Sequence, residues 1–151
     1  MTDSPTAPSA EPAPSERTRV LRLGGRGRYD AATAHAILDA APICHVGHVT
    51  ADGQPIVIPM IHGRIADTLY LHGAAGNAMM RGIADAPVSV TATIVDGLVL
   101  ARSVFHHSMN YRSVVVLGRG RTVEDPNERM AALEAITEHI SPGRWEHCRL
   151  P

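Results

Sequence analysis

A turn at residues 73–77 has the composition of an anion-binding site. Two glycines bracket it, and it leaves a predicted strand and enters a predicted short helix. Free backbone N–H groups and the positive end of a helix dipole meet at such a point and favour a phosphate, to which Arg81 could add a charge-assisted hydrogen bond. The alternative is that Gly73 and Gly76 only satisfy the turn geometry and that Asn77 caps the helix, and the residues alone favour this alternative.

The nine histidines raise the question of a metal site. They are spread over several predicted elements, and none has the ligand spacing of a zinc site, such as paired cysteines or a His-Glu-x-x-His helix. His106 and His107 are adjacent, and neighbours on a strand point to opposite faces, so the two cannot easily bind one metal. We therefore predict no metal site. A haem with one axial histidine is compatible with the sequence but is not indicated by it.

Nucleophilic catalysis has no strong candidate in this chain. No serine lies in a Gly-x-Ser-x-Gly elbow, and Cys44 falls in a predicted buried strand, where a thiol is unreactive. The absence of lysine excludes a Schiff-base mechanism. We assign no catalytic residue, and His72 and His107 are the side chains to test as general acids.

The composition limits the classes of partner. A net charge of −1 provides no basic field for nucleic acid or for a membrane surface. No segment approaches the roughly 20 apolar residues of a membrane span, and the N-terminus lacks the basic-then-apolar order of a secretory signal. Two cysteines, Cys44 and Cys148, do not make a disulfide framework. We therefore expect a cytoplasmic protein that binds neither nucleic acid nor a membrane.

The chain divides into a tail and one domain. Residues 1–19 are rich in Pro, Ala, Ser and Thr and predict a disordered tail, and residues 20–151 form the domain. Short strands joined by turns predict a mainly β fold with flanking helices, a small antiparallel barrel. The predicted elements are a helix after Asp30, strands at 43–50, 55–62 and 68–72, a short helix after Asn77, strands at 87–95 and 98–101 on either side of an Asp96-Gly97 turn, a strand around 114–116, and a helix from Pro126.

Three of these strands carry specific expectations about burial. Strand 43–50 places Cys44, Val46 and His48 on one face. The nearly continuous apolar run at 55–62 predicts a strand that is covered on both sides, although Pro59 within it argues for an edge, a bulge or a position where no ladder hydrogen bond is donated. The three valines at 114–116 predict a buried strand.

Residues 101–121, ARSVFHHSMNYRSVVVLGRGR, resemble the signature of the pyridoxamine 5'-phosphate oxidase-like family of FMN-binding split barrels, in its flavin-nucleotide-binding and nitroimidazole-resistance branch. Three further segments agree in order: ICHVGHVTADGQPIVIPMIHGR, LYLHGAAGNAM and HISPGRW. The resemblance covers about residues 29–150. It implies a small antiparallel FMN-binding split β-barrel that works as a homodimer, with a flavin in each cleft between the subunits.

The resemblance also implies a set of cofactor-binding residues. The strand that lines the isoalloxazine ring contributes Pro59, Met60, Ile61 and His62. The segment that holds the flavin phosphate contributes His72, Gly73, Ala74, Gly76 and Asn77. A strand entry that reaches the flavin, either in the same subunit or in the partner, contributes Arg112 and Ser113.

The sequence departs from the family pattern in two places. Pyridoxamine oxidases carry a Ser-Arg-Lys run at the phosphate segment, where this chain has Gly76-Asn77-Ala78, so phosphate affinity must rest on backbone amides, on Arg81 or on an arginine such as Arg112. The C-terminal part that recognises pyridoxine phosphate is missing, so oxidation of vitamin B6 is not expected. Relatives continue past PGRW into another strand, whereas this sequence ends at Pro151, which predicts a barrel without its C-terminal strand.

Two classes of function follow from the resemblance. The first is an FMN-dependent oxidoreductase that reduces a small molecule such as a nitro compound, with the cofactor performing the chemistry and the protein orienting it. The second is a module that holds a flavin, a deazaflavin or haem without turnover, or a truncated remnant with no cofactor. The family resemblance favours the first.

Overall fold

The computed structural model describes residues 15–74 and 76–150. The chain divides into two units at residue 36, within the first helix. In the N-terminal unit a single helical turn spans Gly24–Arg26, and the Tyr29 hydroxyl accepts a hydrogen bond from the Val20 backbone N–H at 2.9 Å. Most of the predicted disordered tail, residues 1–14, lies outside the described residues. The second unit holds all the strands.

The second unit is built on a four-stranded antiparallel sheet and a separate two-stranded antiparallel sheet. The larger sheet has the strand order β2-β1-β5-β6, and the smaller pairs β3 with β4. This architecture confirms the prediction of a mainly β, antiparallel fold with flanking helices. The elements are α1 (Ala31–Ala40), β1 (Cys44–Val49), β2 (Pro55–Met60), β3 (His62–Ile65), β4 (Thr68–Leu71), α2 (Ala78–Ile83), β5 (Pro87–Val99), β6 (Ser108–Arg119) and α3 (Pro126–Ile140).

Local sequence signals explain where several elements begin and end. Thr50 closes the β1–β2 hairpin, because its backbone N–H donates to the Gln54 carbonyl at 2.9 Å and its hydroxyl accepts from the Gln54 N–H at 3.0 Å. The Asp125 carboxylate accepts hydrogen bonds from the backbone N–H groups of Asn127 and Glu128, and Pro126 is the first residue of α3. The start of α3 at Pro126 is as the sequence predicted.

The core lies between the inner face of the four-stranded sheet and the helices. Cys44, Val46 and Ala92 are completely buried there, as the alternation in strand 43–50 predicted for the first two. Leu38 of α1, together with Met79 and Ile83 of α2, packs against this face. Against β3 lies α3, so closely that a Cβ on Gly63 would be 2.6 Å from the Ile136 backbone nitrogen.

The outer face of the same sheet carries apolar side chains that no element among the described residues buries. The strand registers place alternate residues of all four strands on this face. Aliphatic and aromatic side chains on it are between 38% and 64% exposed. We call the following six residues the outer face: Val49, Val57, Val95, Tyr111, Val115 and Leu117.

Three strand predictions need correction. The run at 55–62 is not covered on both sides, because β2 is an edge strand whose Val57 is 64% exposed; Pro59 indicated the edge correctly. Asp96-Gly97 does not turn the chain, because β5 continues as a single strand through a bulge between Val95 and Gly97. The valines at 114–116 form a strand, but Val115 is 57% exposed, so they are not uniformly buried.

None of the helices in the described part of the chain has the length and apolar character required to cross a bilayer.

Candidate functional site

A cleft of about 570 Å³ opens between the β1–β2 hairpin and α2. Its volume falls within the roughly 300–1,000 Å³ range of sites that bind small organic molecules. The walls combine apolar side chains with a few polar ones, which is the composition typical of such sites. The lining residues are His48, Val49, Thr50, Ala51, Ile56, Ile58, Asn77, Ala78, Met79, Arg81 and Gly82.

Of the predicted phosphate segment, Asn77 lines this cleft, together with Arg81 from the next turn. The Asn77 side chain caps α2 by accepting a hydrogen bond from the Met79 backbone N–H at 2.9 Å, which confirms the capping prediction. Arg81 is exposed, and its Nη1 donates to the Gly76 carbonyl at 2.8 Å. The turn is therefore held from both sides, by the cap and by the arginine.

The other predicted phosphate residues flank the cleft without lining it. His72 and Ala74 are exposed, and Gly73 is half-buried against the Met80 side chain. The open space around Gly76 would accommodate a Cβ. Their contact with a phosphate stays a prediction. Packing against Met80 explains Gly73 and the cap explains Asn77, whereas neither a positive φ nor a steric contact requires glycine at residue 76.

His48 is a cleft residue that the sequence did not single out as functional. The residue is only 7% exposed, and Nδ1 of its ring is buried without a hydrogen-bond partner in residues 15–74 and 76–150. A Cβ on Gly82 of α2 would lie 2.5 Å from Cε1 of this ring, so the imidazole rests directly on that glycine. The available signal was its place on the same strand face as Cys44 and Val46, where an imidazole alternates with core side chains.

The predicted ring-lining segment does not face the cleft in the single chain. Pro59 is exposed on the edge strand, Met60 is buried in the core, and Ile61 is 38% exposed between β2 and β3. His62 is completely buried. Two of these residues are exposed and two are buried, so the four do not form one surface. Their contact with a flavin ring stays a prediction.

The His62 side chain belongs to a pair of neighbouring histidines whose rings are tilted by 45° to each other. Its Nε2 donates to the Leu38 carbonyl at 2.9 Å, and Nε2 of His139 donates to the Ala41 carbonyl at the same distance. The two ring centroids are 4.4 Å apart. Burial lowers the pKa of His62, the hydrogen bond to Leu38 opposes that shift, and the neighbouring His139 adds to it. The pair ties β3 and α3 to the chain at the end of α1, so His62 has a clear structural role.

Arg112 and Ser113 lie on β6, away from the cleft lining. The Arg112 guanidinium pairs with the Asp96 carboxylate, with Nη2 to Oδ1 at 2.8 Å and Nε to Oδ2 at 3.0 Å, and this contact lowers the pKa of Asp96. Ser113 is exposed opposite Thr93, on the side of the sheet that carries the outer face. The single chain thus brings Asn77 and Arg81 together at the cleft but leaves the β6 pair outside it.

Metal and thiol chemistry gain no support from the described residues. Within residues 15–74 and 76–150, no group of three or more His, Cys, Asp or Glu side chains is placed to hold a metal ion. Burial raises the pKa of the Cys44 thiol to about 11, so this cysteine stays protonated and unreactive at neutral pH.

Comparisons with known proteins identify the family. A family model described as pyridoxamine 5'-phosphate oxidase matches residues 30–151. No curated protein matches the chain. The match extends over most of the sequence, and the chain belongs to the pyridoxamine 5'-phosphate oxidase family.

The solved structures that resemble the chain at 30% identity or more include the following. The flavocytochrome Anf3 from Azotobacter vinelandii is 37% identical with a TM-score of 0.81, and the match covers 92% of this chain and 64% of that one. The FAD and haem binding protein from Mycobacterium smegmatis is 34% identical with a TM-score of 0.72, covering 81% and 59%. A structure from Bacteroides thetaiotaomicron, described as a 5-nitroimidazole antibiotic resistance protein, is 30% identical with a TM-score of 0.60, covering 74% and 67%.

These likenesses confirm the predicted small split-barrel fold and the predicted family. The chain spans less than two thirds of the length of the first two structures. Features of those longer proteins therefore bear on this chain only as proposals.

Proposed function

We propose that this member of the pyridoxamine 5'-phosphate oxidase family is a flavoprotein that binds FMN and reduces a small molecule. Family membership and the flavin-binding descriptions of the neighbours support a flavin cofactor. The choice of FMN goes beyond these descriptions, since the neighbour from Mycobacterium smegmatis is described as binding FAD. Reduction of a nitro compound is suggested by the likeness to the nitroimidazole resistance protein.

The observation that carries the proposal is the cleft between the β1–β2 hairpin and α2. Its aliphatic and thioether walls, from Ile56, Ile58 and Met79, suit a planar apolar ring system. Asn77 and Arg81 supply polar groups in the same lining. A volume of about 570 Å³ suits a cofactor of this size. A flavin nucleotide, with an aromatic ring at one end and a phosphate at the other, matches this division.

Arg81 is the cation best placed to replace the basic run that the family carries at its phosphate segment. A guanidinium has five N–H donors, and the bond from Nη1 to the Gly76 carbonyl fixes the group without using all of them. The remaining donors can form charge-assisted hydrogen bonds with phosphate oxygens. Phosphate recognition at this site then depends on one arginine and neighbouring neutral groups.

We further propose that the protein works as a homodimer, with the outer face as the contact between subunits. An apolar patch of this kind on a soluble domain marks an interaction surface, and a β-sheet face usually packs against a second layer. Ser113 shares this side of the sheet, and Pro59 lies on the edge strand beside it. A second copy covering the outer face is how the residues predicted on β2 and β6 would come to share a flavin site.

In the proposed reaction the protein contributes binding, orientation and the exclusion of water. A bound flavin supplies two-electron chemistry, since it takes a hydride equivalent from a donor such as NADH or NADPH and returns it to an acceptor. Reduction of a nitro group to a nitroso group consumes two electrons and two protons and releases one water molecule. The apolar cleft walls exclude bulk water, while Asn77 and Arg81 orient the phosphate. His72, which is exposed beside the phosphate turn, remains the side chain to test as a proton donor.

The alternative function is a binding module that holds a flavin, a deazaflavin or haem without turnover. Haem is the variant with specific support, because two of the similar structures are a flavocytochrome and a protein described as binding haem. Anaerobic mixing of the flavin-loaded protein with NADH and NADPH separates the two functions. The proposal predicts bleaching of the flavin absorption and its return on adding a nitroimidazole. A flavin that neither nucleotide bleaches, but that dithionite does, would favour the binding module.

A further inference from the structure

His48 lines the cleft and carries a buried ring nitrogen that has no hydrogen-bond partner among the described residues. His48 is more than nine-tenths buried, although it lines the cleft. Its Nδ1 atom is inaccessible to solvent and, in the described part of the chain, neither accepts nor donates a hydrogen bond. Leaving a buried polar atom unpaired costs about 1–3 kcal/mol, so an imidazole in this place calls for a compensating interaction elsewhere on the ring.

The unpaired Nδ1 determines which ring nitrogen carries the proton in the neutral imidazole. A neutral imidazole has one N–H donor and one lone pair. Buried N–H groups without an acceptor are rarer in proteins than under-satisfied acceptors, because an unpaired donor is the costlier defect. The proton of His48 is therefore placed on Nε2, and the lone pair on Nδ1. The ring then offers one N–H donor, and the cleft that it lines is the space in which an acceptor can be bound.

Gly82 holds the ring in this position. A Cβ at residue 82 would lie 2.5 Å from Cε1 and 3.2 Å from Nε2 of His48, closer than real contacts allow. Glycine within a helix costs about 1 kcal/mol relative to alanine, so its presence inside the six-residue α2 needs a reason. Close packing of the imidazole on the helix backbone is that reason. β1 supplies the donor, and α2, which packs against the ring, also supplies Arg81 to the lining of the same cleft.

We propose that Nε2–H of His48 donates a hydrogen bond to a phosphate oxygen of the flavin nucleotide in the cleft, beside the guanidinium of Arg81. This inference rests on the proposed flavin function and adds the group that recognises the phosphate. The same ring is poorly prepared to be an axial ligand of haem. Metal coordination through Nε2 requires the proton on Nδ1, where a metal-bound histidine normally has an acceptor and His48 has none.

The test compares the binding of FMN with that of riboflavin, which lacks the phosphate. His48→Met removes the donor and introduces an apolar side chain of similar length. His48→Gln is the matched control, because its side-chain amide retains an N–H donor. His48→Met is expected to weaken FMN binding about tenfold or more, since a hydrogen bond to a charged group is lost, and to change riboflavin binding less than twofold. His48→Gln is expected to recover part of the loss. Equal losses for both ligands, or unchanged FMN binding in a folded His48→Met protein, would overturn the inference.

A measurement on the unaltered protein keeps the inference separate from the flavin proposal. The ¹⁵N spectrum of the imidazoles should show His48 protonated on Nε2, and titration with inorganic phosphate should shift that resonance. If the wild-type protein binds neither FMN nor FAD, the proposed function fails while the phosphate titration still tests His48. A His48 ring protonated on Nδ1, or one that phosphate leaves unshifted, would refute the inference whatever the flavin result.

Discussion

The two faces of the four-stranded sheet have similar side chains and opposite surroundings. On the inner face Val46 is completely buried and Val90 is 5% exposed, whereas on the outer face Val57 and Val115 are 64% and 57% exposed. The inner face is covered by helices of the same chain, and the cleft with His48 and Arg81 opens at its end. No element in the described part of the second unit covers the outer valines. Within the described residues the inner face is covered by helices, whereas the outer face exposes apolar side chains with Thr91, Thr93 and Ser113 between them.

The two parts of the predicted flavin site therefore differ in what completes them: elements of one chain for the first, and in our proposal a second copy for the other. The part of the site at the cleft is assembled by β1, β2 and α2 of one chain. The part at Pro59 and Ser113 lies on the uncovered side of the sheet or at its edge. In our proposal a second copy covers the outer face. Substitutions on one face that leave the other face intact test this difference.

The largest expected effect comes from placing charges on the outer face. Val57→Glu together with Val115→Glu should raise the dissociation constant of the proposed dimer at least a thousandfold, because two unpaired carboxylates would be buried in each half of the contact. Analytical ultracentrifugation measures this change. Ile140→Glu, at an equally exposed position on α3, is the matched control and should leave the assembly unchanged. A dimer that tolerates both outer-face charges would place its contact elsewhere.

A smaller effect should separate the same substitution on the two faces. Val46→Ala removes two methyl groups from the core and should lower the free energy of unfolding by roughly 2 kcal/mol at any protein concentration. Val115→Ala should cost less than about 0.5 kcal/mol when the chain is monomeric, and more as concentration rises and the dimer forms. Urea unfolding at several protein concentrations gives both values. Equal costs that do not depend on concentration would show that the two faces are equivalent.

The smallest effect concerns the covered side alone and depends on pH. Burial, reinforced by His139, lowers the pKa of His62 below the ordinary histidine value of about 6.5, while the Leu38 carbonyl and Asp39 partly offset this. The unfolded chain therefore binds more protons, so this contribution to stability is present above about pH 6.5 and is lost as the pH falls through the lowered pKa of the folded state. Urea unfolding between pH 8 and pH 5 should show this loss, and His62→Gln should reduce it. An identical pH dependence in the variant would remove His62 as its source.

The sequence predicted those parts of the fold that local patterns determine. Alternation along strand 43–50 identified the buried face of β1, Asp125-Pro126 identified the start of α3, and Asn77 was recognised as a cap. Whether an apolar face is covered is a tertiary property, so the run at 55–62 and the valines at 114–116 were predicted as buried although β2 is an edge strand and Val115 is exposed. The Asp96-Gly97 pair has the residues of a hairpin turn, but the pairing with β6 accommodates it as a bulge.

The candidate site could be predicted only in part for the same reason. The turn around Asn77 and the nearby Arg81 have local signals, and the structure places both at the cleft. His48 has no such signal, because its importance depends on Gly82, a residue 34 positions away that packs against its ring. His62 fits the family motif, yet its ring bonds to the Leu38 carbonyl in the core. Strand membership followed from the motif, but the direction of each side chain followed from packing.

The central claim is that this chain binds a flavin nucleotide, and the absorption spectrum of the purified protein tests it most directly. The account predicts the two visible bands of an oxidised flavin, either in the protein as isolated or after incubation with FMN and removal of the excess. Denaturation should release FMN at about one molecule per chain. A colourless protein that takes up neither FMN nor FAD, or one that shows only the Soret band of haem, would contradict it.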